Sequence, residues 1–204
     1  MAEVLKYTVP ILTFILGTIY SYYYNKNVHK KTYRAFPHIE DSYMYLDMSN
    51  NVLKDASKVY MAGDYAILSK QPSFLKLDAS FIKVTNLGPG HMVNSNFTIT
   101  TITTDQKEEW IFKVHVPMIR KDEVIFIPTV AKDMINKRVI TGRVHVSYLT
   151  HQGESMEYVK KLDKINDKDT DILESLHVKN YSKVETIYKY KGKDSLFVYA
   201  KPEK

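Results

Sequence analysis

From Tyr7 to Tyr24 the chain carries no charged residue, and the stretch Val9-Pro10-Ile11-Leu12-Thr13-Phe14-Ile15-Leu16-Gly17-Thr18-Ile19-Tyr20 inside it is strongly apolar. A helix rises 1.5 Å per residue, so roughly 18 to 20 residues match a hydrocarbon layer about 30 Å thick. The run just reaches that length. Tyr20, Tyr22, Tyr23 and Tyr24 gather at one end, where amphipathic rings favour the headgroup level, and Tyr7 marks the other. Pro10 falls in the first turns, where its missing N–H costs little. A cleaved signal peptide would show a stronger basic start and small residues before the cut, whereas this run meets Tyr-Tyr-Tyr-Asn. A buried core helix would show polar positions every third or fourth residue, and here Thr and Ser alone supply polar interruptions. The sequence therefore predicts a single-pass signal anchor, a transmembrane helix over residues 1–25.

The charge distribution gives an orientation. Lys26, Lys30, Lys31 and Arg34, with His29, follow the apolar run, and only Lys6 precedes it with the acid Glu3. By the positive-inside rule the C-terminal part then lies in the cytoplasm of a bacterial cell, with the opposite, extracytoplasmic topology as the rival. The same basic flank would attract anionic lipid at about 1 kcal/mol per residue near the surface. The net charge of +6 is concentrated in this flank. The rest of the chain is close to balanced, which argues against a nucleic-acid partner, since phosphate binding needs a basic stripe or face. With no cysteine, disulfides, thiolate catalysis and cysteine-based metal sites are excluded.

Residues 26–58 read as a basic flank and connector that holds a first strand or short helix: Phe36-Pro37-His38-Ile39 looks extended, and Asp41 to Lys58 lacks a clean period. Beyond them the pattern becomes short runs of Val, Ile, Phe, Thr and Tyr between turn residues, which is the strand signal. Candidate strands are Tyr65 to Leu68, Leu75 to Thr85, Ser95 to Thr103, Trp110 to Val116, Glu123 to Ile127, Val139 to Thr150, Met156 to Leu162, and Thr186 to Tyr190 with Leu196 to Ala200. Trp110, Phe112, Val114 and Val116 share one face of their strand, and Val144, Val146 and Tyr148 share one face of theirs. Gly88-Pro89-Gly90 and Gln152-Gly153 mark turns, the first with one glycine at positive φ. Lys191-Gly192-Lys193-Asp194 reads as the turn of a final hairpin. Asn166 to Asn180, with Ile172, Leu173 and Leu176, reads as the one helix of the domain. Two packed antiparallel sheets over residues 59–204 account for this many strands.

Phe81-Ile82-Lys83-Val84-Thr85-Asn86-Leu87-Gly88-Pro89-Gly90, followed by an alternating strand and later by Val146-Ser147-Tyr148-Leu149-Thr150-His151-Gln152-Gly153, resembles the immunoglobulin-like β-sandwich of small bacterial membrane-anchored proteins of unknown function. His91-Met92 stands where those proteins carry Pro-Ala. The resemblance spans Leu75 to Leu162. It implies a mainly β fold with an N-terminal anchor and implies no activity.

Chemistry-bearing patterns are sparse. His115 and His145 fall on the faces opposite the large apolar side chains, and would be neighbours if their strands paired, but zinc needs three or four convergent ligands. Asp167-Lys168-Asp169-Thr170-Asp171 opens like a calcium loop, yet Ile172 and Val178 replace the required Gly and Glu. Gly88-Pro89-Gly90 lacks the Gly-Lys-Ser/Thr and helix of a phosphate loop. Ser155 has no base beside it in sequence, and Trp110 suits a core position. The sequence thus predicts no catalytic, cofactor-binding or metal-binding residue. The expectation is a membrane-tethered, non-enzymatic domain whose partners are the lipid bilayer and another protein, with no metal and no nucleic acid; an enzyme on a membrane substrate has no motif behind it.

Overall fold

The structure, a computed structural model, describes residues 2–45, 58–72, 78–103, 108–134, 137, 139–165, 170–180 and 183–194. Helix α1 spans Ala2–Thr32, with Pro10 in its third turn. Every described side chain from residue 8 to 29 is exposed. Among the described residues, no helix is long and apolar enough to cross a membrane. Tyrosine, threonine, serine and asparagine dilute the aliphatic residues of α1 toward its C-terminal half, so the transmembrane reading of residues 1–25 lacks the hydropathy it needs. The helix also continues past residue 25, through the basic flank.

Eleven strands follow among the described residues: β1 (Pro37–Tyr45), β2 (Lys58–Val59), β3 (Ala62–Gly63), β4 (Asp78–Asn86), β5 (Met92–Thr103), β6 (Glu109–Ile119), β7 (Val124–Val130), β8 (Val139–Thr150), β9 (Ser155–Ile165), β10 (Thr170–Asn180) and β11 (Lys183–Asp194). They form two sheets. One has the order β1-β4-β7-β2, with β3 as a second short parallel partner of β7 farther along that strand, at Thr129 and Val130; the other has the order β11-β10-β9-β8-β5-β6. β1 takes up the extended stretch expected around Phe36 to Ile39 and runs on to Tyr45 within the connector segment, while Tyr65–Leu68, expected as a strand, is a one-turn helix, α2. Leu196 to Ala200 lies outside the described residues.

The largest departure from the sequence pattern is β10. Ile172, Leu173 and Leu176 fit a helix face, yet the segment pairs along its length with β9 and β11. Ile172, Leu176 and Val178 point into the core, and intervening Ser175 and His177 stay half-exposed. Few apolar positions at even spacing satisfy both periods, and ladder pairing on both sides decides for the strand. Lys191 to Asp194 continues β11 and is not a turn.

The core lies between the sheets. Ile82, Val84, Phe97, Ile99, Val144, Val146, Tyr158 and Leu176 are all essentially sealed from solvent. Each such side chain is worth about 1.5–3 kcal/mol of transfer free energy. The expected faces of β6 and β8 are observed: Phe112 and Val116, and Val144, Val146 and Tyr148, face inward. A second small cluster, built on Phe81, Phe126, Tyr65 and Leu68, sits where α2 covers the outer face of the smaller sheet. β4 belongs to that sheet and β5 to the larger one, so the Gly88-Pro89-Gly90 turn crosses between sheets.

Candidate functional site at the helix junction

The richest polar constellation lies where α1 meets the two sheets. The first residues of β1 and the turns after β4, β6 and β8 come together there, because Pro37 pairs with Asn86, Val124 with Thr85, and Met92 with Ile119 and Thr150. Arg34 leaves the end of α1 and donates two hydrogen bonds of 3.0 Å to Glu154, one to each carboxylate oxygen. Both side chains are more than nine-tenths buried. The fork matches the carboxylate geometry, and the bond to Glu154 holds the Arg34 guanidinium above its usual pKa despite burial. Arg34 therefore spends its charge inside the protein, not on lipid as the flank count assumed.

Beside this pair the Tyr148 hydroxyl donates to the Ala35 carbonyl at 2.7 Å, and burial pushes its pKa far up. Asn86 is fully buried and works as a knot. Its Oδ1 accepts from the backbone N–H groups of Phe36 and Gly88, and its Nδ2 donates to the Gly90 carbonyl at 2.7 Å and the Arg120 carbonyl at 3.2 Å. One side chain thus ties the start of β1 to two turns. Neither Gly88 nor Gly90 has positive φ; that conformation is found at Gly63 and Gly153. The glycines at 88 and 90 serve close approach instead, for a Cβ at either would strike the backbone of residues 33–36. Rings complete the junction: Tyr33 packs edge-on against His151, whose ring lies 5.5 Å from that of His91.

The other singled-out residues are dispersed. His115 and His145 share the outer face of the larger sheet, but β5 lies between their strands, and His115 bonds Asn96 at 2.9 Å. His145 bonds Glu157 at 2.6 Å, and Lys179 bonds the other Glu157 oxygen at 2.7 Å. Burial opposes the Glu157 charge, yet these two partners outweigh it and hold the carboxyl below the usual range. Among the described residues no group of three His, Cys, Asp or Glu is placed to hold a metal ion. Ser155 opens β9 half-buried, Trp110 packs partly buried against the core, and Asp167 and Asp169 lie outside the described residues. A shallow cleft beside Asp41, Thr141, Arg143 and Lys161 has room for about one water molecule.

No protein-family model matches the chain, and neither a curated protein nor a solved structure is detectably similar to it. The junction's parts were only partly visible in sequence: Asn86 carries a turn signal, but nothing local pairs Arg34 with Glu154.

Proposed function

We propose that α1 holds this chain at a bacterial membrane and that the two-sheet domain is a non-enzymatic protein-binding module on the cytoplasmic side. The observation that carries this reading is the exposed apolar surface of α1. Ile11, Leu12, Phe14, Leu16, Ile19 and Tyr20 all lie open on a helix whose described side chains from residue 8 to 29 are exposed. A contiguous apolar patch of that extent marks a membrane or protein contact. In sequence Val4 and Leu5 extend the apolar run beyond Lys6. The tyrosines suit headgroup depth. Lys26, Lys30 and Lys31, after the tyrosines, favour the cytoplasmic side.

The strand order supports the immunoglobulin-like reading of the domain. With β1, β4 and β7 in one sheet and β6-β5-β8-β9 adjacent in the other, the chain follows the A-B-E and C′-C-F-G arrangement, with β10 and β11 added at one edge.

A single engineered thiol tests attachment and side together, since the chain has no cysteine. Gln152 is exposed in the turn after β8 and suits the purpose better than half-buried Ser155. The Gln152→Cys protein should remain with membranes after alkaline washing and react with a membrane-impermeant maleimide only once cells are permeabilised. Release by the wash would sink the attachment, and full labelling of intact cells would reverse the topology.

A further inference from the structure

The near-balanced charge of the domain hides a segregation that only the strand register reveals. The outer faces of β6, β8, β9 and β11 place Lys113, Arg143, Lys161 and Lys189 on the solvent side of the larger sheet, all four exposed. Two cross-strand rows hold them. One runs through Arg143, Lys161, Leu173 and Lys191, and the next through Lys113, Thr98, His145 and Lys189, the latter by way of Val159 and Ser175. Neither row contains an acid.

Arg143 and Lys161 are direct partners across β8 and β9. Like charges placed opposite on neighbouring strands, with Cβ atoms about 4.5–5.5 Å apart, destabilise a sheet. Among the described residues the neighbouring carboxylates do not relieve them. Glu157 is taken by His145 and Lys179, Asp171 lies 3.9 Å from Lys191, and Asp41 is held by Lys160 at 3.2 Å. Among the described residues Lys113, Arg143, Lys161 and Lys189 have no ion-pair partner.

We infer that this face docks a protein partner presenting carboxylates, which names the partner chemistry for the binding module proposed above. Lipid is out of reach at this position. Arg143 lies roughly 23 Å along β8 from Thr150 at the helix end, at about 3.3 Å per residue, and surface charge is screened within about 8 Å at physiological salt. Among the described residues nucleic acid finds no tryptophan, tyrosine or phenylalanine to stack on here, because Trp110, Tyr148 and Tyr158 lie on the opposite, core-facing side of their strands. Thr98, Val159, Leu173 and Ser175 between the cations give the mixed polar and apolar texture of a protein interface.

The test uses the full chain in micelles of a nonionic detergent, so that it stands whether or not α1 inserts into a bilayer. Poly-L-glutamate serves as the acidic polypeptide probe, with duplex DNA and anionic vesicles in parallel. The variant K113E/R143E/K161E/K189E should bind poly-L-glutamate at least about tenfold more weakly, whereas K132E, away from the face, should bind as the parent does. Lys161→Gln, which removes one of the two opposed cations, should bind more weakly and melt no lower than the parent, a combination a merely structural lysine would not give. Equal binding by the fourfold variant, a lower melting temperature for Lys161→Gln, or tighter retention of DNA or vesicles than of poly-L-glutamate would overturn the inference.

Discussion

At the scale of single residues, what matters is whether a charge is satisfied within the fold. Glu157 shows the sign of the effect. Its folded pKa lies below the ordinary 4.5, so its contribution is fully present above that pH and is lost as pH falls through the folded value. Glu157→Gln should therefore lower stability at pH 7 and flatten the acid limb below about pH 4.5, where parent and variant should converge. Denaturant titrations at several pH values check this; a constant gap down to pH 2 would refute it. His145 and its outward face are legible in the sequence, but its partners Glu157 and Lys179 are not. They stand on neighbouring strands, and register is a property of pairing that a single strand's pattern does not contain. The same holds for Arg34 and Glu154, 120 residues apart in the chain.

At the scale of elements, strands with clean alternation were legible and those with mixed spacing were not. β8 is legible end to end because Val144, Val146 and Tyr148 alternate with polar neighbours through a run long enough to exclude other periods. β10 is ambiguous in sequence because its apolar residues fit two periods, and the pairing with its chain neighbours β9 and β11 that decides for the strand is not written in its own spacing. The two readings make opposite demands on Leu173. In the strand it points outward and is half-exposed, while Leu176 is completely buried. Leu176→Ala should cost about 2–5 kcal/mol and Leu173→Ala less than about 1 kcal/mol. Comparable losses from both substitutions, measured by chemical denaturation, would favour the helix face. α2 failed in the other direction: Tyr65 to Leu68 has strand-forming residues, but four residues flanked by Asp64 and Ser69 close a single turn against Phe81.

At the scale of the whole molecule, the mainly β class and the two packed sheets were legible, whereas the boundary of the domain was not. It begins with the residues that close the junction, not at residue 59. A fragment starting at Ala35 would leave Glu154 buried without Arg34. Breaking such a pair costs about 3–5 kcal/mol. Fragment 35–204 should thus melt at least about 6 °C below fragment 30–204, taking about 2 °C per kcal/mol for a domain of this size. Equal melting temperatures in a thermal scan would show that the pair contributes nothing.

The close coupling at residues 33–37 also sets how the molecule carries load. β1 runs away from α1 and pairs with β4 over nine successive residues. Tension applied through the helix, as when an anchored protein is tugged by a bound partner, would first meet the Arg34 clamp and the Asn86 knot. Past them it would draw β1 lengthwise, stressing its ladder bonds in concert, the geometry of shear and not of a zipper opened from one end. Such a mount yields abruptly at high force instead of creeping, and it transmits a displacement at the helix to the far end of the sheet with little slack.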